Sequence, residues 1–187
     1  MRFVRGRVLD IGTGGGRAAL YLQERGHDVV AVDNSPLAIK TVRLRGIRDA
    51  RLLSITELTH RPGLFDTLLL LGNNFGLFAN ASRARWLLAR FARMTPESGR
   101  IVAEVLDPYD TKRIEHRRYH RRNRARGRMG GQTRIRVRYL DLATPWFDYL
   151  FVSRGELRQL VRGTSWQVAA LIDSAGPTYI AVLEKRT

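Results

Sequence analysis

The chain has 187 residues, a length typical of one domain, so we predict a single domain over residues 1–187. It has no cysteine, which excludes disulfides and thiol chemistry, and no apolar run approaches the roughly 18 residues of a membrane span. Without a recognisable secretory signal, we expect a cytoplasmic protein with no membrane association. Its net charge of +16, carried almost entirely by arginine, predicts attraction to polyanions.

Apolar runs alternate with helix-like segments through the first hundred residues, as in an α/β fold with a mainly parallel sheet. We predict strands at residues 7–11, 28–33, 51–55, 65–71 and 100–106. Helices are predicted at 17–25, from Pro36 to the residue before Gly46, and at 82–94. In the last of these, an apolar stripe at i, i+3, i+4 and i+7 predicts one buried face, formed by Ala84, Leu87, Leu88 and Phe91.

The pattern changes after residue 106, where a polar, basic and poorly periodic segment runs to residue 133. Residues 133–141 then alternate, which predicts a half-buried strand, and residues 146–152 are its expected partner across a turn at 143–145. Ser153 and Glu156 form a capping box for a helix to about residue 162. Two closing strands at 166–172 and 178–184 must be antiparallel neighbours because their connection is short. We assign residues 107–152 to a basic insert or lid with an extra β-hairpin on the substrate side.

A glycine-rich turn directly follows the first predicted strand. It contains Asp10, Gly12, Gly14 and Gly16, and the second strand also ends in an acid, Asp33. A dinucleotide site is one interpretation, because Gly14 and Gly16 begin a G-x-G-x-x-A pattern. However, an acid in front of the first glycine favours a cationic ligand over a pyrophosphate.

The acid, the glycines and the second acid together resemble the first motifs of class I S-adenosylmethionine-dependent methyltransferases. The resemblance implies a Rossmann-like, doubly wound and mostly parallel seven-stranded sheet with a reversed final strand. It implies S-adenosylmethionine as cofactor and S-adenosylhomocysteine as product. The residues it assigns to the cofactor are Asp10, Gly12, Thr13, Gly14 and Gly16 at the methionine end, Asp33 at the ribose, Asn34 beside it, Ile55 and Thr56 near adenine, and Asn73 near the methyl group.

Candidate acceptor residues follow the fourth and fifth strands. His116 and His120 are candidate catalytic bases, because a helix would place them on one face, although an exposed position is equally compatible with that spacing. No third ligand has a convincing spacing, so we predict no metal site. The substrate-binding candidates are Asn74, Tyr109, Tyr119, Arg124 and Trp146. Trp146, like Phe147 and Tyr149, is compatible with either an acceptor pocket or the core.

The segment from Lys112 to Arg138 contains twelve basic residues and a single acid, Glu115. RNA, an anionic small molecule and solvent remain open as its partner. We therefore predict a methyltransferase that acts on a small molecule or on RNA. The alternatives are an NAD(P)-dependent oxidoreductase and a non-catalytic RNA-binding module on the same scaffold. The sequence leaves the oligomeric state open.

Overall fold

A computed structural model describes residues 2–59, 63–174 and 176–186. Eleven strands occur in this part of the chain: β1 (Val8–Ile11), β2 (Val29–Asp33), β3 (Asp49–Leu52), β4 (Thr67–Leu70), β5 (Arg100–Leu106), β6 (Gln132–Ile135), β7 (Arg138–Tyr139), β8 (Leu142–Ala143), β9 (Phe147–Leu150), β10 (Trp166–Asp173) and β11 (Thr178–Lys185). Seven of these form one sheet in the order β10-β11-β5-β4-β1-β2-β3.

The sheet has the predicted direction of its strands. Pairs β1–β2, β1–β4, β2–β3 and β4–β5 are parallel, whereas β11 runs antiparallel to both β5 and β10. The doubly wound sheet with one reversed strand is thereby confirmed. Because parallel strands end at the same edge, the loops after β1, β2 and β4 converge there, which positions the candidate site.

The described helices are α1 (Arg17–Gln23), α2 (Pro36–Leu44), α3 (Ala81–Arg93), α4 (Ile114–Ala125), α5 (Arg154–Val161) and a 3₁₀ helix at Asn74–Phe78. Helices α1 and α2 pack against one face of the sheet, and α3 and α5 pack against the other. The predicted buried stripe of α3 and the capping box at Ser153 and Glu156 are both confirmed. Across the described ranges, no helix is long and apolar enough to cross a membrane.

The third strand was predicted two residues too late. It occupies Asp49–Leu52, and a tight turn follows, in which the Glu57 carboxylate accepts a 2.7 Å hydrogen bond from the Ser54 backbone N–H. The apolar residues Leu53 and Ile55 continue the alternating pattern but pack against the core from this loop. The predicted connection at 174–177 includes residue 175, which lies outside the described residues.

The prediction of one continuous strand over residues 133–141 was wrong. Strand β6 pairs antiparallel with β9, which lies within the predicted partner strand at residues 146–152. The chain between β6 and β9, however, forms a second small hairpin of β7 and β8. Leu140 adopts a positive φ of 49° in this hairpin, so the turn lies there and not at 143–145. Val137 and Tyr139, expected to be half-buried, are 58% and 72% exposed because the hairpin has no sheet behind it.

Candidate functional site

The glycine turn after β1 is built around three residues with positive φ angles. Gly12, Gly14 and Gly16 have φ of 73°, 54° and 75°, a region that L side chains rarely adopt. The backbone N–H groups of Gly12 and Thr13 donate to the Val32 carbonyl at 2.8 and 3.0 Å, which fastens the turn to β2. Among the described residues, no atom lies within 4 Å of the position of a Cβ on Gly14, so the turn leaves an open cradle there.

Asp10 places a buried carboxylate under this cradle. The residue is only 3% exposed, and its carboxylate accepts a 2.7 Å hydrogen bond from the Thr13 hydroxyl. Burial raises the pKa of Asp10 to about 6, and the nearby Asp33 adds to the effect, while the Thr13 hydrogen bond opposes it. A buried acid beside a second acid is stabilised by a cationic ligand and destabilised by an anionic one.

Asp33, at the end of β2, is organised by two backbone donors. Its two carboxylate oxygens accept hydrogen bonds of 2.9 Å from the Gly14 N–H and the Ser35 N–H. Each oxygen keeps a second lone pair, so the carboxylate retains capacity for ligand hydroxyl groups. The neighbouring Asn34 is exposed at the same strand end.

The loop after β4 carries the two asparagines. Asn73 has a positive φ of 62°, and its buried side-chain oxygen has no hydrogen-bond partner in the described part of the chain. Asn74 was predicted to contact the acceptor, but its amide nitrogen donates to the carbonyls of Ile11 (2.9 Å) and Gly12 (2.7 Å). Both amide protons of Asn74 are directed at backbone carbonyls, so this side chain holds the glycine turn, and its contact with the acceptor stays a prediction.

The sequence analysis named Tyr149 as a residue of the core or of an acceptor pocket, but it did not predict that Tyr149 contacts this loop. The Tyr149 hydroxyl donates a 2.5 Å hydrogen bond to the Asn73 carbonyl, and a Cβ on Gly76 would overlap the Tyr149 ring. The Glu104 carboxylate accepts a 3.0 Å hydrogen bond from the Gly72 N–H of the same loop. Burial, and secondarily Glu104, raise the pKa of Tyr149 to about 12, so its hydroxyl stays a donor at neutral pH.

Ile55 and Thr56 lie in the turn after β3. The Ile55 side chain packs against the apolar core, and the Thr56 hydroxyl lies 3.1 Å from that of Ser54. The Thr56 carbonyl accepts a 2.8 Å hydrogen bond from the Arg90 guanidinium. This turn is therefore held by a contact within it and by a hydrogen bond from α3.

Tyr109 and Arg124, predicted to bind the acceptor, are engaged with each other and with α5. The Tyr109 hydroxyl donates to the Glu156 carboxylate, and the Arg124 guanidinium lies 4.6 Å from the centre of the Tyr109 ring. A Cβ on Gly130 would clash with the same hydroxyl. These contacts join the end of α4 to the start of α5, while a role of the two side chains in binding the acceptor stays a prediction.

The two candidate bases lie beside this network, as the helical spacing predicted. The edge of the His120 ring faces the Tyr109 ring, with 5.2 Å between ring centres, and His116 Nδ1 lies 3.0 Å from the Thr111 hydroxyl. Burial lowers the pKa of His120, and the nearby His116 and Arg124 lower it further. His120 is therefore neutral at pH 7, and its described contacts are with α4 and its flanking residues.

The two remaining substrate candidates are exposed. Tyr119 is 44% exposed on α4, and Trp146 is 55% exposed with the Arg136 guanidinium 5.0 Å from its ring. Trp146 therefore lies outside the core, and its part in an acceptor pocket stays a prediction. Within the described ranges, no three His, Asp or Glu side chains form a group suited to a metal ion.

The sheet has six strands in one direction and one reversed strand, as in the class I methyltransferase fold. Acidic residues at the ends of two of these strands flank the glycine turn. A family model described as a methyltransferase domain matches residues 8–99. The structure of a methyltransferase from Bacteroides fragilis, in complex with S-adenosyl-L-homocysteine, superposes with a TM-score of 0.83 at 25% identity, covering 100% of this chain and 75% of that chain. The family model and this structural match together support a class I S-adenosylmethionine-dependent methyltransferase domain.

Other similar proteins differ in length and in the reactions their names describe. A ubiquinone biosynthesis O-methyltransferase of Xanthomonas euvesicatoria is 37% identical over 68 residues, and a probable nonribosomal peptide synthetase of Salinispora arenicola is 30% identical over 128 residues. These matches cover 33% and 64% of this chain, but only 28% and 2% of those proteins. The glycopeptide N-methyltransferase MtfA, bound to S-adenosyl-L-methionine, shares the fold with a TM-score of 0.67 at 14% identity, covering 98% of this chain and 89% of that chain. The oxidoreductase and the non-catalytic alternatives are not favoured by these findings.

Proposed function

We propose that this protein transfers the methyl group of S-adenosylmethionine to an acceptor and releases S-adenosylhomocysteine. The observation that carries the proposal is the buried Asp10 carboxylate, with its pKa raised to about 6, beside Asp33 at an open glycine turn. A cationic donor supplies the positive charge that this pair of acids lacks. A dinucleotide would instead bring its pyrophosphate towards a buried acid.

Different residues of the site are assigned to different parts of the cofactor. We assign the methionine end to Asp10, Gly12, Thr13, Gly14 and Gly16, and the ribose hydroxyls to Asp33, with Asn34 beside them. Ile55 and Thr56 are assigned to the adenine side. The unpartnered side-chain oxygen of Asn73 is an acceptor suited to an N–H of the cofactor's ammonium group, because a buried carbonyl without a donor is costly.

The acceptor is proposed to approach over Asn73, bounded by Tyr149 and Glu104. Methyl transfer from a sulfonium needs alignment above all, and alignment alone supplies roughly 7–11 kcal/mol in favourable cases. Tyr149 and Glu104 fix the loop on which Asn73 lies, so they act as positioning residues. We propose that residues 107–152 form the acceptor-side part of one domain spanning residues 1–187, and that His116 and His120 serve as bases only for an acceptor that reaches α4.

Ligand binding to the purified protein tests the donor directly. S-adenosylhomocysteine is expected to raise the melting temperature, because a ligand that binds only the native state stabilises it, whereas NAD is expected to leave it unchanged. Isothermal titration of both ligands gives the affinities. Stabilisation by NAD with no response to S-adenosylhomocysteine would contradict the proposal.

A further inference from the structure

Helix α4 has almost no buried face. Ten of its twelve residues are exposed, and the buried one is polar: the Asn123 amide donates to the carbonyls of Gly130 (2.9 Å) and Gln132 (2.6 Å). A helix that is polar all round gains little from apolar burial. Its formation as a regular helix therefore calls for another source of stabilisation at its outer surface.

The outer surface of α4 is strongly positively charged. At 100° per residue, the side opposite Asn123 carries four exposed arginines: Arg117, Arg118, Arg121 and Arg122. They form two like-charged pairs at i, i+4, each of which destabilises an isolated helix. Among the described residues, none of the four makes a salt bridge, so a polyanion would neutralise charge that the protein itself leaves unpaired.

A polar cleft of about 290 Å³ flanks this helix, between α4 and the β6–β9 pair. Arg128 and Arg134 line it, with Arg134 paired to Asp148 at 3.6 Å. Tyr119, 44% exposed on α4, presents its ring at the same cleft. The cleft thus combines guanidinium groups with an exposed aromatic ring, next to the arginine face of the helix.

We propose that the outer face of α4 and this cleft bind single-stranded nucleic acid. The arginines of α4 contact successive phosphates, and the Tyr119 ring stacks on an unpaired base in the cleft. A membrane surface fits the helix less well, because interfacial helices need an apolar face and the only large apolar residue exposed on α4 besides Tyr119 is Ile114. Binding at this surface does not depend on methyl transfer.

The charge contribution is tested by fluorescence anisotropy with a labelled 20-nucleotide oligouridylate, without cofactor. The double variant Arg118→Gln/Arg122→Gln, which removes the pair of arginines on the Tyr119 side of the helix, is expected to bind about tenfold more weakly in low salt, and its salt dependence to be shallower by about 1.4, since each phosphate contact on a single strand contributes about 0.7. Glutamine keeps the helix propensity. The matched control is Arg48→Gln/Arg93→Gln, which removes two exposed charges elsewhere on the fold. An equal loss in both double variants would overturn the proposal.

The stacking contribution is tested with Tyr119→Ala, which is expected to bind the same oligonucleotide about tenfold more weakly. Tyr139→Ala, at a more exposed tyrosine of the β7–β8 hairpin, is the control and should bind like the wild type. Circular dichroism and S-adenosylhomocysteine titration verify that each variant is folded. Unchanged binding by Tyr119→Ala, equal affinity for a 20-base-pair duplex, or binding to phosphatidylserine vesicles without binding to the oligonucleotide would each overturn the proposal.

Discussion

The Tyr149 hydroxyl and the Asn73 carbonyl, 76 positions apart in the chain, form a 2.5 Å hydrogen bond. It connects the β6–β9 pair of the insert to the loop after β4. Asn73 adopts a positive φ and carries the unpartnered oxygen assigned to the cofactor. One side chain of the insert therefore fixes a residue of the proposed cofactor pocket.

We expect Tyr149→Phe to lower the free energy of unfolding by about 1–2 kcal/mol, because the Asn73 carbonyl loses its donor in a largely buried place. We also expect weaker binding of S-adenosylhomocysteine, because the Asn73 loop is less well held. Urea denaturation and isothermal titration measure the two effects. Tyr139→Phe, which removes an exposed hydroxyl, is the control. If Tyr149→Phe behaved like this control in both measurements, the positioning role would be wrong.

Asp33→Ala is expected to weaken S-adenosylhomocysteine binding at least about 100-fold. Two hydrogen bonds to a charged acceptor contribute roughly 1.5–3 kcal/mol each, and the Gly14 and Ser35 N–H groups also lose their partner. Calorimetry gives the affinity, and circular dichroism should show an unchanged fold. The control is Asp173→Ala, which removes an exposed carboxylate far from Asp33 in the sequence. It should bind S-adenosylhomocysteine with wild-type affinity. An affinity for Asp33→Ala equal to that of this control would remove the ribose assignment.

Asp10→Asn is expected to stabilise the cofactor-free protein. The folded pKa of about 6 lies above the ordinary value of 3.8, so the folded state holds the extra proton and its stability falls as pH rises through this range. At pH 7 the ionised carboxylate lowers the free energy of unfolding of the wild type by up to about 3 kcal/mol. The Asp10→Asn variant has no carboxylate and is free of this penalty. Urea denaturation should show that the gain in free energy of unfolding over the wild type grows between pH 4 and 6 and stays constant above pH 6. A gain that is independent of pH would contradict this origin.

Cofactor affinity is expected to fall in acid. Below pH 6 the wild-type Asp10 is protonated, and a cationic ligand loses its counter-charge, so affinity should fall about tenfold for each further pH unit. Titration of S-adenosylmethionine between pH 5 and 8 measures the profile. The Asp10→Asn variant should bind weakly at every pH in the range, since it has no carboxylate to titrate. A wild-type profile as flat as that of the variant would disprove the role of this ionisation.

Asn74→Ala is expected to destabilise the fold and to weaken S-adenosylhomocysteine binding together. The Asn74 amide bridges the Ile11 and Gly12 carbonyls, and each lost hydrogen bond costs about 1 kcal/mol. Thermal melting and calorimetry follow the two effects. Asn34→Ala changes an exposed asparagine and should leave stability unchanged. Loss of methyl transfer by Asn74→Ala without loss of stability would instead support direct contact with the acceptor.

The sequence alone predicted the sheet, the glycine turn after β1 and the acid at the end of β2. Strand periodicity is a local property, and β5 was placed at its observed bounds. The glycine turn and Asp33 were found because close backbone approach and an acid at a strand end require particular residue types at fixed spacing. The third strand was misplaced because the alternating pattern of Leu53 and Ile55 extends into a turn that packs against the core.

Only the tertiary structure shows which side chains surround Asn73, where the acceptor is proposed to approach. Tyr149, Glu104 and the double role of Asn74 depend on contacts between segments far apart in the chain, and no local pattern encodes such pairings. The contacts of Tyr109 with Arg124 and with Glu156 of α5 likewise join segments that are far apart in the chain. Local residue chemistry therefore determined which cofactor this protein suits, and long-range packing determined which side chains surround it.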